Sequence, residues 1–263
     1  MQDIANTEIL VAKNSNNLKV LAEISKVKIT ILVSLTTALG YILAAKSISI
    51  SLLFSVLGIF LLACSASALN QYQESELDKL MMRTKNRPIP SSRVSANFVF
   101  NVAITFLFAG TAILYFFTNI NTLIIGLFTL LWYNGVYTPL KRKSALAIFP
   151  GSLVGALPPI AGWTAAGGSL SDFNIYLIAF YFFIWQIPHF WLLLLLHGKD
   201  YHSAGFPVLN NIFPDSVLKK FTFVWILITV LVTIAIAFSK ILNYQASILI
   251  VILASFFLLY NSR

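Results

Sequence analysis

Long apolar runs separated by short polar segments make up most of the chain. Eight runs are each close to the roughly 20 residues that a helix needs to cross the hydrocarbon layer. They lie near residues 27–45, 49–69, 95–116, 119–138, 146–166, 173–196, 219–239 and 242–260. Lipid offers backbone groups no hydrogen-bond partners, so runs of this kind are helical. We predict an all-α fold: one transmembrane domain over residues 1–263, a polytopic bundle of eight helices.

The composition excludes a soluble protein. Of the 263 residues, 58% are hydrophobic and only 10% are charged, which is more apolar surface than a soluble domain of this length can bury. The single cysteine, Cys64, lies inside an apolar run. A disulfide framework and a thiolate metal site are therefore both excluded.

The positive charges set the expected topology. Net charge is +9, and all but two of the 18 Lys and Arg residues fall on one side of the eight-helix arrangement, the exceptions being Lys46 and Lys240. By the positive-inside rule the basic side faces the cytoplasm, together with both termini. Residues 1–25 are expected to be a polar cytoplasmic segment, because the stretch through Asn17 lacks the apolar core of a cleavable signal peptide. We expect a multi-pass protein of the cytoplasmic (inner) membrane of a prokaryote.

A periodic polar stripe follows the second apolar run. Asn70, Glu74 and Asp78 recur every four residues, and Arg83 and Arg87 come soon after them. On a helix each of the first three side chains is rotated only about 40° from the previous one, so they share one face. Carboxylates bind hard divalent cations, and guanidinium groups bind phosphate oxygens. The stripe therefore predicts a site for a magnesium–diphosphate.

Two later segments on the same side carry matching chemistry. Tyr137 precedes the cations Lys141 and Arg142, which we expect to complete a diphosphate-binding cage. Asp200 lies in the predicted loop 197–218, separated by four helices from the first acidic loop. The two acidic segments are expected to face each other across the mouth of the bundle.

Another candidate lies inside the sixth run, where His189 follows Trp185 and Pro188. Ionisable groups in a membrane helix are usually functional. Spacing alone leaves open whether His189 contacts iron or transfers a proton.

Four ordered motifs between residues 70 and 207 carry a family resemblance. The first is Asn70-x-x-x-Glu74-x-x-x-Asp78 with Met82-Arg83-Thr84-x-x-Arg87-Pro88, and the second is Tyr137-Thr138-x-Leu140-Lys141-Arg142. The third is Gly155-Ala156-x-Pro158-Pro159-x-x-Gly162-Trp163, and the fourth is Trp185-Gln186-x-Pro188-His189-Phe190 with Lys199-Asp200-Tyr201-x-x-Ala204-Gly205-x-Pro207. The chain resembles the UbiA-type intramembrane aromatic prenyltransferases, and within them the haem-farnesylating branch, the haem O synthases.

The resemblance implies a helical bundle with a lateral cavity and a definite reaction. Farnesyl diphosphate and haem B are the implied substrates, Mg²⁺ is the implied cofactor, and haem O is the product of farnesyl transfer to a haem vinyl with addition of water. Haem is thus a substrate and not a cofactor. The resemblance assigns metal and diphosphate binding to Asn70, Glu74, Asp78 and Asp200, with the metal on the three acids. It assigns leaving-group neutralisation to Arg83, Arg87, Lys141 and Arg142, and haem contact to His189, Tyr137 and Trp185. No nucleic-acid partner is expected, and assembly with a haem A synthase or terminal oxidase is left open.

The chain departs from the family pattern at three points. Glu74 stands where the family usually has Asp, and Ala204 stands where the wider superfamily has a second acid. Family members usually have nine spanning helices, one more than the eight predicted. Two other functions stay open: a related prenyltransferase acting on a quinone precursor or chlorophyllide, and a secondary transporter or channel. The transporter reading predicts acids at mid-bilayer, whereas these acids lie at helix ends.

Overall fold

A computed structural model describes residues 17–207, 209, 213–239 and 241–261, without the side chains of 194, 199 and 255–261. This part of the chain is helical and contains no β-strand. The helices are α1 (Asn17–Ile24), α2 (Val27–Ala45), α3 (Ile50–Leu80), α4 (Ala96–Phe117), α5 (Ile120–Leu131), α6 (Ile148–Ala165), α7 (Phe173–Ser203), α8 (Asp215–Phe238) and α9 (Tyr244–Asn261). Most of the predicted polar segment 1–25 lies outside the described residues.

The prediction of an all-α membrane bundle is confirmed, with a difference in the number of spans. Seven helices, α2 to α8, are long and apolar enough to cross a membrane. Helix α9 occupies the eighth predicted segment, but its described apolar stretch, Tyr244–Ala254, is shorter than a span. The protein is therefore a multi-pass membrane protein.

Two helices run further toward the basic side than the apolar pattern predicts. Helix α3 continues past residue 69 to Leu80, and α7 continues past residue 196 to Ser203. Asp200 therefore lies on the last turn of α7 and not in a loop. Polar residues continue both helices because their backbone hydrogen bonds are local and do not require apolar side chains.

Side-chain caps mark several helix starts. Ser95 accepts a hydrogen bond from Phe98 N at the start of α4, and Asn119 accepts one from Thr122 N at the start of α5. Such caps satisfy backbone N–H groups that have no partner within the helix. Beyond Leu131, α5 continues through a π-helical turn, Trp132–Tyr137, and a final turn, Thr138–Leu140.

Helix α6 is the hub of the bundle and packs against α2, α3, α5 and α7. A Cβ atom on Gly162 would collide with the backbone carbonyl of Thr37, so this glycine permits the close approach of α2 and α6. Gly151 and Gly155 instead make room for the side chains of Tyr137 and Gln186. The helix continues through its internal prolines.

The short helix α1 packs on the bundle through its apolar face. Val20 and Ile24 are buried against Ala68 of α3 and against Val99 and Ala103 of α4. This packing brings the α1–α2 junction beside the end of α3. The ends of α3, α5 and α7 meet there as well, so one end of the bundle collects most of the polar chemistry.

Candidate active site

The predicted polar stripe exists and is buried. Asn70, Glu74 and Asp78 lie on one face of α3 with exposed fractions of 1%, 4% and 0%. Buried carboxylates are costly unless they are paired. Each acid is accordingly held by a cation from another segment.

Asp78 is paired with Arg87. The guanidinium Nη1 lies 2.8 Å from Oδ1 and 2.7 Å from Oδ2 of Asp78. The Thr84 hydroxyl donates to the Asp78 carbonyl at 2.9 Å, which turns the chain after α3 back toward the stripe. The predicted phosphate-binding Arg87 thus lies directly beside a predicted metal-binding acid.

Glu74 accepts hydrogen bonds through only one of its two carboxylate oxygens. Its Oε2 accepts from Lys141 Nζ at 2.7 Å and from Asn70 Nδ2 at 2.9 Å. Its buried Oε1 forms no hydrogen bond within the described residues, and Arg142 Nε lies 3.8 Å from it. A buried carboxylate oxygen without a partner is an available ligand position.

Lys26 completes this group of charges, although its sequence position suggested only a role in topology. Its Nζ donates to Asn70 Oδ1 at 3.0 Å. Burial, and then the positive charges of Arg87 and Lys141, lower the pKa of Lys26 to about 7. We call Asn70, Glu74, Asp78, Lys26, Arg87, Lys141 and Arg142 the charged cluster.

The charged cluster contains four cations and two carboxylates, so its excess positive charge favours binding of an anion. Burial lowers the pKa of Lys141, and the neighbouring Glu74 carboxylate opposes that shift. A bound dianion or trianion would supply the negative charge that balances these cations, most of which are partly buried. The cluster is therefore suited to a phosphate-type ligand.

The π-helical turn of α5 aligns the cluster with α3. Within this turn, Asn134 Nδ2 donates to the Ala66 carbonyl at 3.0 Å and to Gln73 Oε1 at 3.2 Å. Arg142 Nη2 in turn donates to the Gln73 carbonyl at 2.6 Å. Such turns are frequent at functional sites, and the apolar pattern of this run gave no sign of one.

Asp200 and Arg83 lie apart from the charged cluster. Asp200 accepts from the backbone N–H groups of Met82 (2.7 Å) and Arg83 (3.2 Å). The Arg83 side chain donates to the Tyr201 hydroxyl at 3.2 Å. The two acidic segments do meet, as predicted, but Asp200 fixes the backbone after α3 in this arrangement. Across the described residues no three His, Cys, Asp or Glu side chains converge to hold a metal.

The predicted haem-contact residues form two separate groups. Trp185 and His189 stack with ring centroids 5.2 Å apart and an interplanar angle of 9°, and both are exposed. Lys141 Nζ lies over the Tyr137 ring, 5.5 Å from its centroid. The ring centroids of Tyr137 and Phe190 are 6.5 Å apart. Only Tyr137 adjoins the charged cluster directly.

Two concave surfaces are candidates for organic ligands. A cleft of about 410 Å³ beside the cluster is lined by Arg142, Lys143, His202, Gly205, Phe206 and Pro207. A larger apolar groove of about 500 Å³ lies between α6 and α7, near the opposite end of the bundle. The larger groove is lined without any charged residue, so the chemistry lies with the smaller cleft and the charged cluster.

The donor set is compatible with magnesium. Glu74 and Asp78 are oxygen donors one helical turn apart, and Glu74 Oε1 is buried and accepts no hydrogen bond among the described residues. Mg²⁺ is usually bound by one or two carboxylates together with substrate phosphates. In the present arrangement these two acids are paired with cations. If phosphate oxygens bound those cations instead, the two acids and the Asn70 amide beside them would be free to bind such an ion.

Fold and site together define a polytopic membrane enzyme that handles a phosphorylated substrate. The UbiA prenyltransferase family matches residues 33–263, and the chain belongs to that family. It is therefore a prenyltransferase.

Several named relatives narrow the comparison. The protoheme IX farnesyltransferase of Geobacter sulfurreducens is 39% identical over 181 residues, covering 69% of this chain and 67% of that protein. The enzyme of that name from Oleidesulfovibrio alaskensis is 36% identical, covering 73% and 68%. The human mitochondrial protoheme IX farnesyltransferase is 38% identical over 74% of this chain and 44% of its own length.

Solved structures agree on the fold. A UbiA homologue from Archaeoglobus fulgidus bound to GPP and Mg²⁺ superposes with a TM-score of 0.76, covering 93% of this chain and 88% of that one, at 16% identity. An apo UbiA homologue from Aeropyrum pernix gives 0.69 at 17% identity, covering 87% and 88%. At these identities the likeness concerns architecture alone.

Proposed function

We propose that the protein transfers the farnesyl group of farnesyl diphosphate to a vinyl group of protohaem IX (haem B), with addition of water, to give haem O. The observation that carries the proposal is the charged cluster, a buried stripe of two carboxylates and an amide surrounded by four cations. The names of the relatives support farnesyl as donor and haem as acceptor.

The cluster's role is to hold and neutralise the diphosphate. Lys26, Arg87, Lys141 and Arg142 would bind its oxygens, exchanging the carboxylates for phosphate. Glu74 and Asp78 would hold Mg²⁺, which supplies Lewis-acid stabilisation of the leaving diphosphate. Positioned charges of this kind act most strongly where water is excluded, and the stripe is almost fully buried.

The reaction then follows from the chemistry of the two substrates. The farnesyl C1–O bond breaks, diphosphate keeps the electron pair, and the haem vinyl group forms a bond to C1. Water adds to the carbocation left on the haem side chain and loses one proton. Tyr137 lies beside the charged cluster and contacts Phe190 of α7, and its aromatic ring would stabilise the allylic cation.

The cleft beside the cluster suits the carboxylates of the acceptor. Haem carries two propionates, which are costly to bury and therefore favour the membrane surface. Lys143 and His202 line this cleft without an ion-pair partner among the described residues, next to the buried ring of Phe206. Trp185, His189 and Tyr137 remain the proposed contacts of the macrocycle.

The orientation we propose has the charged cluster and the N-terminus on the cytoplasmic side of the cytoplasmic membrane. The C-terminus shares this side when α9 also crosses the membrane, as in the eight-helix prediction. All residues of the cluster come from helix ends or junctions on one end of the bundle, where the positive-inside rule places the cytoplasm. Asp200 and Arg83 would contribute at this end by fixing the loop after α3, and they remain candidates for direct substrate contact.

The test is incubation of purified protein with haem B, farnesyl diphosphate and Mg²⁺, followed by mass spectrometry of extracted haems. A haem heavier by farnesyl plus water, absent with EDTA, is the expected product. Diphosphate release only with quinone precursors or chlorophyllide would move the acceptor to a related prenyltransferase reaction. No diphosphate release with any acceptor would overturn the proposal.

A further inference from the structure

The junction between α1 and α2 is unusually constrained for a surface turn. Lys26, the residue immediately before α2, has a left-handed backbone conformation with φ 48° and ψ 49°. This conformation is unfavourable for a non-glycine residue and persists where the surrounding contacts impose it. The side chain that results from this backbone points at Asn70 of the charged cluster.

Gln71 supplies the contacts that hold this junction. Its side chain is 1% exposed, and its Nε2 donates to the carbonyl oxygens of Glu23 and Ile24, each at 2.8 Å. These carbonyls belong to the last turn of α1, where helix geometry provides few N–H partners. The Glu23 carbonyl also accepts from the Lys26 backbone N–H at 3.3 Å. Gln71 adds a second donor to the Glu23 carbonyl and supplies one to the Ile24 carbonyl, and it ties the end of α1 to α3.

Gln71 is not an optimal residue for stability at this buried position. Its Oε1 is buried without a hydrogen bond among the described residues, which is unfavourable relative to an apolar side chain of similar shape. Apolar packing already docks α1 through Val20 and Ile24, and Arg93 forms an ion pair with Glu23. Stability alone therefore does not explain a polar side chain at this position. Its two hydrogen bonds to the end of α1 indicate that it fixes the position of the α1–α2 turn.

We propose that Gln71 is a positioning residue for prenyl diphosphate binding, which acts by fixing the α1–α2 turn so that the Lys26 ammonium lies at the charged cluster beside Asn70. Lys26 contacts Asn70, the residue next to Gln71 on α3. Neighbouring residues of α3 therefore hold the tip of Lys26 and the backbone of the two residues Glu23 and Ile24 that precede the turn. This inference rests on the proposed diphosphate site and adds a residue that touches no substrate.

The experiment measures equilibrium binding of farnesyl S-thiolodiphosphate, a non-reacting analogue, with Mg²⁺ in detergent. We expect Lys26→Met and Gln71→Met each to raise Kd about tenfold. Because Gln71 acts through Lys26, the double variant should bind no more weakly than Lys26→Met alone. The KM for haem should stay unchanged in both single variants, whereas a merely structural defect would lower the amount of folded enzyme and leave both constants unchanged.

A matched control exists in α7. Gln186 Nε2 also donates to two carbonyl oxygens, those of Ser152 and Phe182, each at 3.1 Å. Gln186→Met removes a partly buried amide that makes the same two kinds of hydrogen bond, and it should leave the Kd of the analogue unchanged. An unchanged Kd in Gln71→Met, or additive losses in the double variant, would overturn the proposal. Since binding needs no acceptor, a wrong assignment of haem would show separately, as intact analogue binding without a haem product.

Discussion

The buried pair between Asp78 and Arg87 offers the clearest test of the site's energetics. Asp78 is fully buried and Arg87 is partly buried, with Nη1 2.7 Å from the nearer carboxylate oxygen. At that distance the Coulomb attraction is about 6 kcal/mol for an effective dielectric constant of 20. Desolvation of both ions offsets much of this attraction. Removing one partner of a buried pair therefore costs about 3–5 kcal/mol, most of it from the charge left behind.

The substitution Asp78→Asn keeps the shape and one acceptor oxygen. Because Arg87 retains some contact with water, we expect a loss near 3 kcal/mol, which corresponds to a fall in Tm of about 6–12 °C for a protein of this size. Prenyl transfer should fall as well, since the variant loses a proposed metal-binding oxygen. We therefore expect the Asp78 substitution to lower stability and activity together.

The chain provides its own probe for the measurement. Cys64 is the single cysteine and is buried, so a thiol-reactive fluorophore reports unfolding in detergent on heating. Glu76→Gln is the matched control on the same helix, because Glu76 forms an exposed pair with Lys79 and such pairs contribute little. Equal Tm values for Asp78→Asn and Glu76→Gln would refute the reasoning. So would a double-mutant cycle with Arg87→Gln that gives a coupling energy below about 0.5 kcal/mol.

Three further outcomes are expected. Gly162→Ala should lower Tm strongly, because the added Cβ would collide with the facing backbone of α2. Gly135→Ala is the control: no atom lies near its Cβ position, so packing gives no reason for Tm to fall. Lys143→Ala should raise the KM for haem about three- to fivefold, because it removes one exposed ion pair with a haem propionate. The KM values for farnesyl diphosphate and for haem dimethyl ester, which has no free propionate, should not change. The hydrogen bond from Arg93 lowers the pKa of Glu23 from 4.5. The stabilisation by this ion pair is therefore complete above the ordinary pKa and is lost as pH falls through the lowered pKa. Wild type and Glu23→Gln should differ in Tm at pH 7 and converge once the pH lies below the lowered pKa.

Local chemistry explains how much of the site was predictable. The four-residue spacing of Asn70, Glu74 and Asp78 predicts one stripe on a helix, and the structure has it. Chemistry also predicts that the buried acids of the stripe have cations nearby, although it does not say which cations. The metal and haem assignments stay predictions.

Other features depended on contacts that no pattern along the chain records. The apolar runs predicted where helices cross the membrane, but not that α3 and α7 continue as polar helices beyond it, which moved Asp200 from a loop to a helix end. Asp200 then accepts hydrogen bonds from backbone N–H groups of the segment after α3. The family resemblance had assigned it to the metal-binding acids.

The sequence by itself determined the all-α membrane class, the basic side and the identity of the acidic stripe, because hydrophobicity, charge asymmetry and helical periodicity are all local properties of the chain. Only the tertiary structure decided which cation meets which acid, and that Lys26 belongs with them. Its contact with Asn70 joins residues 44 positions apart. It depends on a left-handed turn that Gln71 and the packing of α1 together impose, and such long-range constraints leave no periodic trace in the sequence.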